Sequence, residues 1–333
     1  MHENARQLYA LGLCTFTVPA VLFLPRVGWL AAAIACCACA LLLLLMICLH
    51  RRCDAPMTAL CAHGWGRLLG VLTLAGNLVL LGASARYLCM AYPVDAPLTG
   101  LLLLLLACAA AQKRTLPRVG AIVFFFLVAF YLLLMGFSLP KIETDWLRPR
   151  AGDPLAALSC VLAPVGVFWL ADGERRGKPL PWLSGGIVLG VLAALVTAGM
   201  LSPQVARRDP FPFYTAAKSV SILGAMERLE PLVSAALTAG GFCLLGTLCS
   251  ADTLLVRAAL PAWERGAPAL NFLGGCAGFL LAPLCSECCI AVLTAIFWGA
   301  VPLALLCVGA RRGGNEKKRK FLKIMLDKRA EYW

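Results

Sequence analysis

Apolar residues fill this chain in long stretches, separated by short clusters of charge, proline and glycine. Ten stretches can be delimited, at roughly 6–24, 28–50, 66–92, 97–112, 118–138, 154–172, 181–200, 227–249, 268–285 and 288–309. A membrane-spanning helix needs about 20 consecutive apolar residues. The pattern therefore predicts an all-α polytopic membrane protein of about ten transmembrane helices. The fourth stretch, Pro97 to Gln112, is short and the ninth is interrupted by glycines, so nine or eleven spans fit as well. The longest connections, 51–65, 139–153, 201–226 and 250–267, are too short to hold an inserted soluble domain. A transmembrane domain is expected over 1–310 and a separate tail over 311–333. Only Arg6 precedes the first stretch as a basic residue, and no small-residue cleavage site follows it. It is expected to be a retained span and not a signal peptide.

Composition removes the main competing classes. Of 333 residues, 61% are hydrophobic and 14% charged, against about 45–50% and about 25% in soluble domains. A soluble enzyme, a nucleic-acid-binding module and a disulfide scaffold are excluded. The net charge of +13 is concentrated in the tail, where nine Lys/Arg face Glu316, Asp327 and Glu331. With the N-terminus placed in the cytoplasm, twelve further basic residues fall on the cytoplasmic side and seven outside. By the positive-inside rule both termini are cytoplasmic. Lys317-Lys318-Arg319-Lys320, followed by Phe321, Leu322, Ile324, Met325 and Leu326, suits a surface helix on anionic lipid, with docking on a cytoplasmic partner as the alternative.

Ten spans divide as five plus five, about 6–138 and 154–309. Because five is odd, the second half crosses the membrane in the opposite sense to the first, the parity of an inverted-repeat transporter. Such folds break the first helix of each half near the midplane. Thr15-Phe16-Thr17-Val18-Pro19 in the first span and Ala163-Pro164-Val165-Gly166 in the sixth are the candidate breaks. A proline removes one backbone hydrogen bond and obstructs another. The freed groups need partners, and a bound ligand can be one; a simple kink is the alternative. Phe16, Val18, Val165 and Phe168 would give an apolar lining. Asn77 and Thr238, near the middle of the third and eighth spans, are polar neighbours for a ligand or partners in an interhelical hydrogen bond.

Charge at membrane depth is costly, about 2.5–3.5 kcal/mol on insertion scales. Arg86 lies in the third span, and Glu227, Arg228 and Glu230 open the eighth. Glu227 and Glu230, three residues apart, share a helical face. One of them is expected to pair with Arg86 or pack against Arg228, either pinning two helices or touching a ligand. The fifth span, Val119 to Ser138, has no Lys, Asp, Glu or His, and the inner half of the eighth offers only Thr247, Ser250 and cysteines. That poverty favours a receptor over a coupled pump. No His/Asp/Glu/Cys constellation at catalytic spacing is found in the spans, so an enzyme is not expected, nor a cofactor.

Most of the seventeen cysteines lie within apolar runs and are expected to behave as small hydrophobes. Cys285, Cys288 and Cys289 form the one local cluster, with packing favoured over a metal or redox role.

Phe211-Pro212-Phe213-Tyr214, followed by Ser219-Val220-Ser221-Ile222-Leu223-Gly224-Ala225-Met226 and Glu227-Arg228-Leu229-Glu230, resembles the permease-like B subunits of bacterial spore germinant receptors. Arg6-Gln7-Leu8 with Leu24-Pro25 and Trp29-Leu30 is similar to that family's first hairpin. Arg86-Tyr87 with Tyr92-Pro93 and Pro97 is similar to its third-to-fourth span connection. The resemblance runs over nearly the whole chain, and the eighth-span motif is its most specific part. It implies an amino acid–polyamine–organocation transporter fold with the LeuT-type 5+5 inverted repeat. It also implies A and C partner subunits, location in the spore inner membrane and a small germinant, a neutral amino acid, held between broken helices 1 and 6. A self-sufficient amino-acid transporter of the same fold is the alternative. The family usually has a glycine where this chain has Thr17-Val18-Pro19, and the sixth span shows no acid before Asp172.

Overall fold

The computed structural model describes residues 5–22, 24–53, 57–62, 64–90, 97–111, 115–148, 152–162, 165–170, 180–220 and 230–311. Among them the chain is helical almost throughout and contains no strand. Helix α1 (Ala5–Leu22) and the single turn α2 (Leu24–Val27) lead through Gly28 into α3 (Trp29–Arg52). Gly28 has φ +93°, a backbone state that side chains disfavour, and it lets the chain reverse before α3. After α4 (Met57–Leu60) come α5 (Trp65–Met90), α6 (Pro97–Ala111) and α7 (Leu116–Ser138). Pro117 stands in the first turn of α7, where its missing N–H leaves no intrahelical bond unmade.

The second half opens with α8 (Pro154–Val161), capped by the Asp153 carboxylate, which accepts from Leu155 N at 2.9 Å. Helices α9 (Gly166–Leu170), α10 (Leu180–Met200), α11 (Pro203–Arg208) and α12 (Pro212–Lys218) follow. Then come α13 (Glu230–Ala259), α14 (Ala267–Leu281) and α15 (Glu287–Thr294). Helix α15 passes into a π-helical turn, Ala295–Ala300, and on through helical residues 301–311.

Six helical segments among the described residues are long and apolar enough to cross a membrane: Trp29–Arg52, Trp65–Met90, Leu116–Lys141, Pro231–Ala259, Pro261–Leu284 and Cys288–Arg311. Pro97–Ala111 and Gly185–Met200 are shorter apolar helices. Large apolar side chains such as Leu41, Phe125, Leu98 and Leu284 point outward, as lipid-facing positions do. The chain is an integral membrane protein.

Helix α13 is the axis of the bundle. It packs against α1, α5, α6, α7, α9 and α14, and every residue from Cys243 to Asp252 is buried. Lipid is as apolar as leucine, so apolar burial does not itself draw membrane helices together; close packing at small residues does. Gly240, Gly241 and Gly246 of α13 seat Val18, Leu88 and Leu116 of its neighbours, and Gly82 of α5 meets the α14 backbone at Gly275 and Gly278.

Two boundaries differ from expectation. Helix α1 continues through Thr17, Val18 and Pro19 to Leu22, so the first candidate break is not an interruption. One missing hydrogen bond did not end the helix there. The eighth apolar stretch was expected to stop at residue 249, yet α13 runs ten residues further, to Ala259. Residues 250–259 are therefore helix and not connection, and the turn to α14 is the 3-10 segment Pro261–Gly266.

Candidate functional site

The sixth apolar stretch is interrupted where a break was expected. Helix α8 stops at Val161 and α9 begins at Gly166, and Val165 N donates to Leu162 O at 3.0 Å. Ala163 and Pro164 lie outside the described residues. A helix end leaves its last carbonyls without intrahelical donors, and here the Cys39 thiol of α3 donates to Val161 O at 3.2 Å. One freed carbonyl is thus satisfied by the protein itself. Val165 is fully buried, and Gly166 faces the Thr247 methyl of α13.

Helix α1 packs against α8, α9, α10 and α13, which brings its candidate residues to the break. Thr15, Phe16 and Val18 are all buried. Thr15 Oγ1 donates to Gly12 O at 2.7 Å, within its own helix. Phe16 lies over Gly186 of α10, and Val18 lies against Gly240 of α13. The side chains of Thr17, Pro19 and Phe168 are outside the described set.

Sequence reasoning missed Tyr131 on α7. It is 1% exposed, and among the described residues its hydroxyl has no hydrogen-bond partner. It lies beside Cys14 of α1 and meets the Phe213 ring edge-on at 6.0 Å. Phe213 belongs to the aromatic-proline segment, whose Tyr214 hydroxyl and Ser234 Oγ hydrogen-bond at 3.1 Å. That segment therefore closes over α7 and α13, next to α1. Buried hydroxyls without a partner are uncommon in folded proteins.

The two polar neighbours proposed for a ligand or an interhelical bond both make hydrogen bonds within the protein. Thr238 is half-buried, and its hydroxyl donates to Ser234 O at 2.7 Å along its own helix. Asn77 is buried on α5, and its Oδ1 accepts from Trp298 Nε1 at 2.9 Å, an interhelical hydrogen bond. Arg86 is half-buried and stacks over the Phe279 ring of α14, 5.3 Å from its centroid. Glu227 and Arg228, its expected partners, lie outside the described residues, as does the side chain of Glu230 at the start of α13.

The extension of α13 brings a second polar cluster into the bundle. Asp252 is fully buried, and among the described residues no donor other than the Asn77 amide stands near its carboxylate oxygens. Asn77 is its polar neighbour from α5. Asn271 of α14, also fully buried, donates through Nδ2 to Cys249 O at 2.9 Å and Thr253 Oγ1 at 3.3 Å, and its Oδ1 is unpartnered. The sequence did hold a signal. Between Pro231 and Ala259 only Asp252 and Arg257 carry charge, so the apolar run could have been extended across them.

None of the described cysteines is in a disulfide, and most of them are buried, as expected of small apolar residues. Cys288 and Cys289 are exposed and Cys285 half-buried, so this cluster is not packed into the core. Among the described residues no group of three His, Cys, Asp or Glu is placed to hold a metal ion. The basic tail beyond residue 311 lies outside the described set. No protein-family model and no curated protein matches the sequence.

Proposed function

We propose that this chain is the permease-like membrane subunit of a spore germinant receptor, and that it binds a small neutral solute, an amino acid by its chemistry, beside the interruption between α8 and α9. The observation that carries this reading is the interruption itself, with both halves lying against α1 and α9 also against α13. A broken membrane helix directs unpaired backbone amides and carbonyls at whatever fills the gap, which suits a solute bearing one carboxylate and one ammonium. Apolar walls at Phe16, Val18 and Val165, with the Tyr131 hydroxyl behind α1, suit a small uncharged side chain. In this reading the helices cross the membrane ten times as a LeuT-type 5+5 inverted repeat, with both termini cytoplasmic. A and C subunits are the partners, and the basic tail rests on anionic lipid of the spore inner membrane.

The test is germination. In spores lacking their own receptors, the chain produced with its A and C subunits restores a response to a neutral amino acid, and Pro164→Ala weakens it. Absence of any response with all three subunits present would remove this reading. A second reading, an ion-coupled amino-acid transporter, draws support from the buried carboxylate of Asp252. Gradient-driven amino-acid uptake by the isolated chain in proteoliposomes would put that reading first.

A further inference from the structure

Asp252 lies near the cytoplasmic third of α13 in the proposed topology, about 11 Å along the helix from its midpoint. It is 0% exposed. A carboxylate taken from water into such surroundings carries a large desolvation cost unless a positive partner meets it. Among the described residues no Lys, Arg or His pairs with it. From α5 come Asn77 and Thr73, and the Thr73 hydroxyl is committed to Leu69 O at 2.7 Å. From α6 comes Cys108, whose sulfur lies 3.4 Å from that of Cys249. From α14 comes Asn271, and from the last helix the Trp298 indole, committed to Asn77. The cations nearest along the same helix end are engaged too. Arg67 Nε donates to Ala259 O at 2.8 Å, and Arg257 pairs with Glu264 at 2.8 Å.

What remains at this level of the bundle is an excess of acceptors. Asp252 Oδ1, Asp252 Oδ2 and Asn271 Oδ1 are all buried, and among the described residues only the neutral Asn77 amide stands beside the carboxylate. Oxygen atoms in excess of hydrogens call for a cation, and a single carboxylate balances a single positive charge. We infer that Asp252 is a binding site for a monovalent cation from solution, a proton or sodium.

This site is separate from the α8–α9 interruption. Thr247 faces Gly166 there, while Asp252 stands five residues on, about 140° around the helix, toward α5. Both sites share α13, so a change in cation occupancy acts on a helix that also borders the solute region. The inference does not depend on the germinant-receptor reading, and its test contains no germination or uptake step.

The experiment is thermal denaturation of the purified full chain in detergent. One series varies pH in sodium-free choline chloride, and the other replaces choline with sodium at fixed pH. A ligand that binds only the folded state raises the melting temperature. The wild type is expected to rise with acidity if the cation is a proton, or with sodium if it is sodium. Asp252→Asn is expected to lose that rise and to melt at or above the wild type in cation-poor buffer, because an amide needs no counter-charge. Wild-type melting indifferent to both cations, or an Asp252→Asn response equal to the wild type's, would overturn the inference.

A second measurement uses the unmodified chain, so it decides even if the variant does not fold. Dicyclohexylcarbodiimide, an apolar carboxyl reagent, is expected to modify Asp252, read by mass spectrometry of its peptide. Protection by sodium or by raised pH identifies the cation. No modification, or modification that neither condition changes, counts against the site.

Discussion

The Trp298 indole N–H donates to Asn77 Oδ1 at 2.9 Å, tying together two buried residues 221 positions apart in the chain. Trp298 sits in the π-helical turn of the last helix, where one extra residue per turn re-aims the side chains. The preceding residue, Phe297, packs against Gly76, next to Asn77. Trp298→Phe keeps an aromatic ring and leaves the Asn77 oxygen unpaired. Its expected cost is about 1 kcal/mol, measured as a lowered unfolding midpoint in detergent.

Close approach of α5 and α14 depends on Gly82. A methyl group there would meet the Gly275 carbonyl and the Phe279 amide, which are backbone and cannot swing aside. Gly82→Ala is expected to lower stability by about 1–3 kcal/mol, as overpacking does, and to shrink the monodisperse fraction in size-exclusion chromatography. Gly136→Ala, with nothing within 4 Å of the added methyl, is the control and should behave as wild type.

Tyr131 separates a ligand role from a packing role by the sign of its effects. Its hydroxyl is buried and has no partner among the described residues, so Tyr131→Phe should leave the unfolding midpoint unchanged or raise it. If the hydroxyl serves a solute beside α1, the same variant weakens amino-acid binding about fivefold, the worth of roughly 1 kcal/mol in one neutral hydrogen bond. Isothermal titration of both proteins reads this directly. Equal affinities would mean that the hydroxyl does not touch the solute.

Two arginines at the end of α13 should differ in importance. Arg67 Nε caps the Ala259 carbonyl from α5, a charged hydrogen bond at a helix C-terminus, and Arg67→Ala is expected to cost about 1.5 kcal/mol or more. The Arg257–Glu264 pair is 60% and 47% exposed. Glu264→Gln should cost less than about 1 kcal/mol, and that cost should shrink in high salt. Denaturation of the two variants at low and high ionic strength checks both statements.

Much of this architecture was legible before any packing was known. Apolar run length is a local property, and helices occupy all ten apolar stretches. Helix α8 ends at Val161, within a turn of the expected break, whose Ala163 and Pro164 lie outside the described residues. Pro19 shows the limit of the same logic. Helix α1 continues across it, packed against α7, α10 and α13, which support the helix where one bond is missing.

Polar partners were not legible. The stacking of Arg86 on Phe279 and the choice of Trp298 as the partner of Asn77 could not be read from the sequence. Asp252 read as the start of a loop because a charged residue at the end of an apolar run ends it in sequence. Only the convergence of α5, α6 and α14 on α13 makes that residue an interior one. The sequence by itself determined which segments are helical and membrane-bound, through hydrogen-bond and transfer energies that act within a segment. Which polar groups meet, and which carboxylate ends up buried, was decided by helices distant in the chain closing on one another.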